Sequence, residues 1–73
     1  MATLSIKSDI AGTVSQVLVQ VGSQVAEDDT LILIESMKME IPVTAPRAGR
    51  VAQISATEGE PVGEGDVLVT LDT

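Results

Sequence analysis

Apolar and polar residues alternate along short segments of this chain, which is the pattern of half-buried β-strands. The clearest alternation is Val17-x-Val19-x-Val21, while residues 31–34 form a continuous apolar run, typical of a strand buried on both faces. Turn-forming residues separate these segments, such as Gly22-Ser23. The pattern predicts eight strands, over approximately residues 4–8, 12–19, 24–25, 30–35, 39–45, 49–56, 61–62 and 67–71.

The chain contains an internal repeat that determines how these strands are expected to assemble. Residues 11–35 align without a gap onto residues 48–72 at an offset of 37, and nine of the twenty-five pairs are identical. Because half a repeat cannot bury its own apolar face, the halves 4–36 and 41–73 are expected to pack together. The predicted fold is all-β: one domain over residues 1–73, a flattened eight-stranded antiparallel barrel or sandwich of two quasi-two-fold related four-stranded halves (a barrel-sandwich hybrid).

Equivalent positions in the two halves also identify residues that are expected to have structural roles. Four glycines at equivalent turn positions are predicted to need positive φ angles: Gly12 and Gly49, Gly22 and Gly59. Four apolar residues at equivalent positions are predicted to lie in the core: Val25 and Val62, Leu31 and Leu68.

Composition excludes several classes of function. The chain has no Cys, His, Phe, Tyr or Trp, and its net charge is −7, with eleven acidic residues against four basic ones. We therefore expect no catalytic residue, no metal site and no nucleic-acid partner. The longest unbroken apolar run is far too short to span a membrane, and no leader precedes it, so a cytoplasmic, non-enzymatic protein is expected.

One basic residue, Lys38, lies at the junction of the two halves, within the stretch ESMKME (residues 35–40). The repeat predicts that it occupies the tip of a central hairpin, at the opposite end of the molecule from both termini. A lysine in a turn is usually a solvated charge. Its neighbours Met37 and Met39 are unusual in a turn, and they indicate either a contact surface or caps on the end of the core.

ESMKME closely resembles the attachment sequence of biotinyl domains, whose usual core is Ala-Met-Lys-Met or Ser-Met-Lys-Met. The resemblance extends to the repeated Ala-Gly-x-Val segments, the Val-Gly-x-x-Val turns and the run IPVTAPRAGRV (residues 41–51), and it covers essentially the whole chain. The length is similar to that of small stand-alone biotin/lipoyl attachment proteins, or of the carrier domain of a biotin-dependent carboxylase such as an acyl-CoA carboxylase.

The resemblance implies a biotin carboxyl carrier with biotin held covalently on Lys38. A biotin protein ligase would form the amide, and the biotin would shuttle a carboxyl group between the sites of biotin carboxylase and carboxyltransferase components. Met37 and Met39 match the family positions that flank the modified lysine and are implicated in recognition. Glu35, Ser36 and Glu40 are further candidates for recognition by the ligase or partners, and the alternative for Glu35 is a strand-end carboxylate.

Two alternative hypotheses assign a different chemistry to Lys38 or none. Lipoyl domains have a similar fold but typically carry Asp-Lys-Ala at the tip, and the absence of an acid directly before Lys38 favours biotin over lipoate. An unmodified β-barrel interaction module would instead tolerate replacement of the tip by Gly-Asn-Gly.

Overall fold

The protein, represented by a computed structural model that describes residues 2–73, consists of eight β-strands in two antiparallel sheets. The strands are β1 (Thr3–Lys7), β2 (Gly12–Val17), β3 (Gln24–Val25), β4 (Thr30–Ser36), β5 (Met39–Thr44), β6 (Gly49–Ile54), β7 (Pro61–Val62) and β8 (Val67–Asp72). Residues 2–73 contain no helix, so the predicted all-β fold is confirmed. It follows that no helical membrane span occurs in this part of the chain.

The two sheets have related strand orders. One sheet has the order β1-β8-β6-β3 and the other β5-β4-β2-β7. Advancing each strand number by four converts the first order into the second, which is the relation expected of two halves about an approximate two-fold axis. Each half contributes two strands to each sheet, so the halves interleave and neither forms a sheet by itself.

The core lies between the two sheets and consists of aliphatic side chains. Branched residues at alternating positions suit this arrangement, because they pack well on a pleated, half-buried surface. The buried members are Ile6, Val14, Val25, Leu31, Ile32, Ile34, Ala45, Val51, Leu68, Val69 and Leu71. The core predictions for Leu31, Leu68 and Val25 are therefore confirmed, while Val62 is only partly buried against this cluster.

The long axis of the molecule separates the chain ends from the central hairpin. Ala2 and Thr73 exchange backbone hydrogen bonds of 3.1 and 2.9 Å, which places the two ends side by side. β1 runs away from this pair, and the chain after it reaches Ala11, whose carbonyl accepts a hydrogen bond from Ser36 at the end of β4. The molecule measures 36 Å along its longest axis and 17 Å across. The β4–β5 hairpin therefore projects from the end remote from the termini.

Candidate functional site

Met37 and Lys38 form the two-residue turn that joins β4 to β5. Ser36 and Met39 are the last cross-strand pair before the turn. Met37 has φ 53° and Lys38 has φ 65°, so both central residues have left-handed backbone conformations. Two-residue hairpins favour such turns because their twist matches that of the flanking strands, but the residues that usually occupy them are Gly, Asn and Asp. A methionine and a lysine here depart from the residue preference of the turn.

The strands on either side hold this turn in place. β4 and β5 are paired from Thr30↔Thr44 to Ser36↔Met39. Ser36 is buried, and its hydroxyl donates a 3.0 Å hydrogen bond to the Ala11 carbonyl in the β1–β2 connection. Left-handed conformations cost about 1–2 kcal/mol for each residue with a Cβ, so the pairing and this anchor must stabilise the tip against that cost.

Lys38 presents a primary amine to solvent. Its side chain is exposed, and the side-chain hydrogen bonds found within residues 2–73 do not involve it. An amine in this position is accessible to the active site of another protein, where it can act as a nucleophile toward an activated carboxyl group.

Met37 and Met39 are both exposed, with 92% and 63% of their surfaces accessible. They therefore do not cap the core, and the alternative in which they fold back onto the barrel end is wrong. Instead they place apolar, adaptable thioether side chains on both sides of Lys38. Both are therefore available for contact with a protein that approaches the lysine.

Glu35 and Glu40 face each other across β4 and β5, one residue pair behind the Ser36↔Met39 pair. Both are exposed, and like charges directly opposite each other are mildly destabilising. One carboxylate oxygen of Glu40 accepts a 3.0 Å hydrogen bond from the hydroxyl of Ser15, which lies at the bulge in β2. Two solvent-exposed carboxylates therefore lie close to the turn, one on each strand of the hairpin.

The structure separates the six residues that the sequence selected into two groups. Five are exposed on the hairpin, namely Glu35, Met37, Lys38, Met39 and Glu40. Ser36 is buried, which makes it an anchor for the hairpin rather than a surface for a partner. Sequence reasoning missed the two groups that brace the site, Ser15 and the Ala11 carbonyl, because each lies 25 residues from its partner and has no local signal.

Lys38 is the amine of this site, and thioethers and carboxylates surround it. Within the described residues 2–73, no cluster of three metal-ligating side chains is present.

Comparison with known proteins identifies a family and several relatives of this chain. The profile of a family described as "Biotin-requiring enzyme" matches residues 3–71. A biotinylated protein TB7.3 homolog from Mycolicibacterium smegmatis is 52% identical over 40 residues, which cover 55% of this chain and 56% of the relative. A biotin/lipoyl attachment protein from Bacillus subtilis is 40% identical over 46 residues, which cover 63% of each chain. The matched regions thus span between about half and two thirds of these relatives.

Solved structures show the same fold inside much larger proteins. A single-chain, multi-domain long-chain acyl-CoA carboxylase superposes with a TM-score of 0.88 at 33% identity, covering 97% of this chain and 7% of that one. The urea carboxylase of Kluyveromyces lactis gives a TM-score of 0.92 at 29% identity, covering 99% of this chain and 6% of the other. The family match, the two-sheet fold and the hairpin lysine agree, and the chain belongs to the family of biotin/lipoyl attachment domains of biotin-requiring enzymes.

Proposed function

We propose that this chain is a biotin carboxyl carrier in which the side-chain nitrogen of Lys38 forms an amide with the valerate carboxyl of biotin. The observation that carries the proposal is the position of Lys38, exposed at the tip of a two-residue turn between two exposed methionines. The family's requirement for biotin supplies the cofactor class.

The residues present at the hairpin fit this cofactor. An amide at Lys38 needs a free amine and space around it, and the exposed tip offers both. Biotin when bound supplies a ureido nitrogen that accepts and releases a carboxyl group. The chain itself contributes position, since it holds the attachment point on a two-residue turn between paired strands and at the end remote from the termini.

Attachment requires an enzyme partner, a biotin protein ligase, which we propose recognises the hairpin. Lys38 Nζ would attack the carbonyl carbon of the ligase-bound biotinyl-adenylate, with loss of AMP and of one proton from the amine. Met37 and Met39 would contribute apolar contacts to the ligase. Glu35 and Glu40 would contribute charge beside the acceptor. Later partners would be the biotin carboxylase and carboxyltransferase components of a biotin-dependent carboxylase, which supply the catalytic groups.

The test uses the two lysines of this chain as a matched pair, since Lys7 and Lys38 are both exposed. The protein would be incubated with a biotin protein ligase, biotin and ATP, and then analysed by intact mass and avidin binding. We expect wild type and Lys7→Arg each to gain one biotin and Lys38→Arg to gain none. Addition of biotin to Lys38→Arg, or no addition to wild type, would refute the proposal.

A lipoyl carrier is the second candidate, because the Bacillus subtilis relative is described as a biotin/lipoyl attachment protein. Parallel incubation with a lipoate ligase distinguishes the two. We expect little or no lipoylation, because Met37 occupies the position where lipoyl domains typically carry an acid. Lipoylation at a rate equal to biotinylation would show that the chain accepts both groups.

A further inference from the structure

The side chains of this protein that react with peroxides are concentrated at the attachment site. The chain contains no Cys, Trp, Tyr or His, so methionine is its only readily oxidised residue type. There are three methionines. Met1 lies outside the described residues, and the other two, Met37 and Met39, flank Lys38. Mild oxidation of residues 2–73 is therefore directed to the two neighbours of the acceptor lysine.

Both thioethers are open to attack in the folded protein. Met37 is 92% exposed and Met39 is 63% exposed, so a peroxide can reach either sulfur without any opening of the structure. Neither side chain belongs to the buried cluster between the sheets. Oxidation at these positions can therefore change the surface of the hairpin while leaving the core packing intact.

We propose that Met37 and Met39 are a redox-sensitive modification site, at which oxidation to methionine sulfoxide blocks attachment of the cofactor to Lys38. This inference rests on the proposed function. Each thioether sulfur attacks one oxygen of hydrogen peroxide and the O–O bond breaks. The sulfur is oxidised by two electrons to the sulfoxide, and the other oxygen leaves as water. A thiol-dependent methionine sulfoxide reductase reverses the step, consuming two thiols and releasing water with formation of a disulfide.

The consequence follows from the change in polarity. A sulfoxide converts a flexible apolar side chain into a polar one with a strong hydrogen-bond acceptor. A ligase surface that packs against two thioethers would then have to desolvate two sulfoxides without a matching donor. Oxidised apo protein is expected to be accepted about tenfold more slowly than the reduced form, a conservative figure for such a mismatch.

The experiment compares apo protein before and after treatment with hydrogen peroxide. Intact mass and peptide mapping would record sulfoxide formation at each methionine, thermal unfolding would report the fold, and initial biotinylation rates would be measured with a ligase that has not been exposed to peroxide. We expect oxidation at Met37 and Met39, an unfolding temperature within a few degrees of the untreated protein, and a biotinylation rate lower by about tenfold. Treatment with methionine sulfoxide reductase and thiol should restore the rate.

The double variant Met37→Leu/Met39→Leu provides the control, since it retains Met1 and apolar side chains at the hairpin. Its own untreated rate serves as the reference, and peroxide should leave that rate unchanged. An equal loss in this variant would assign the effect to Met1 or to general damage and overturn the inference. So would an undiminished rate for oxidised wild type, or a loss that the reductase does not reverse. Failure of untreated wild type to accept biotin would instead refute the proposed function, so the two outcomes remain distinct.

Discussion

Met37 and Lys38 have backbone conformations that most side chains disfavour, although neither position is buried. A turn optimised for stability would have Asn or Gly at both positions. The repeat offers a comparison, because Asp28, the other described non-glycine residue with positive φ, is equivalent to Gly65 in the second half. Stability alone therefore does not explain the residues at the hairpin tip, whereas the proposed recognition of this site by a ligase would account for them.

Replacement of Met37 by glycine tests this conflict between stability and recognition. The backbone cost of about 1–2 kcal/mol would be removed, and the greater chain entropy of glycine would offset about 0.5–1 kcal/mol of the gain. We expect Met37→Gly to raise the free energy of unfolding by about 0.5–1 kcal/mol, measured in urea, and to lower the rate of biotinylation.

Asp28→Gly is the matched control for that substitution. Asp28 has φ 74°, and glycine occupies the equivalent position in the second half. This change should leave biotinylation unaffected, because the β3–β4 connection does not belong to the hairpin. A biotinylation rate for Met37→Gly equal to that of wild type would show that Met37 is not a recognition residue.

At the scale of elements, the β4–β5 hairpin depends on a close contact between strands. A Cβ atom added to Gly12 in β2 would lie 2.5 Å from the Glu35 carbonyl oxygen in β4. The equivalent atom on Gly49 in β6 would lie 2.7 Å from the Asp72 carbonyl oxygen in β8. Both glycines thus allow the last part of a neighbouring strand to approach, and of these two strands only β4 leads into the turn that contains Lys38.

Gly12→Ala and Gly49→Ala should therefore distinguish a loss of stability from a displacement of β4 near Lys38. Each forces a neighbouring backbone to move, and we expect each to lower the free energy of unfolding by about 1–3 kcal/mol, as overpacking does. Gly12→Ala also displaces β4 close to Lys38, and it alone is expected to slow biotinylation at a temperature where both variants are folded. Equal rates for the two variants would mean that the position of β4 does not control acceptance.

The glycines also show where sequence reasoning succeeded and where it stopped. Gly22 and Gly59 have the positive φ that their turns predicted. Gly12 and Gly49 do not, so that part of the prediction was wrong. They are required by contacts with strands more than twenty residues away, and such contacts leave no local pattern.

Strand boundaries were predictable where turn residues mark them, and less so elsewhere. β3 and β7 have the bounds expected from the sequence, whereas β2 ends at Val17, two residues before the predicted end. The apolar alternation continues beyond this point, but the Val17 amide donates to the Glu58 carboxylate instead of to a neighbouring strand. The alternation beyond Val17 reflects partial burial of the β2–β3 connection, because Val19 packs against the core although it lies outside a strand. The hairpin tip was predictable because its residues are adjacent in sequence, whereas Ser15 and the Ala11 carbonyl, which hold the hairpin in place, were not.

At the scale of the whole molecule, the core is shared almost equally between the two halves. Leu31 is 0% exposed and Leu68, its repeat equivalent, is 1% exposed. These leucines lie in β4 and β8, which are inner strands of different sheets. Because neither half can form a sheet by itself, loss of either side chain weakens both halves. Truncation of a core side chain in either half should thus lower the stability of the whole molecule.

Leu31→Ala and Leu68→Ala are therefore expected to lower the free energy of unfolding by similar amounts, about 2–5 kcal/mol each. A chain of this size has a total stability of only about 4–11 kcal/mol, so each variant should unfold at a clearly lower urea concentration. Leu18→Ala is the control, because the same side chain is 50% exposed in the β2–β3 connection and its loss should cost less than about 1 kcal/mol. A large difference between the two core variants, or an equal cost for Leu18→Ala, would contradict the shared core. Folded Leu31→Ala and Leu68→Ala molecules should still accept biotin, because the hairpin keeps its own anchors to β2 and to the β1–β2 connection.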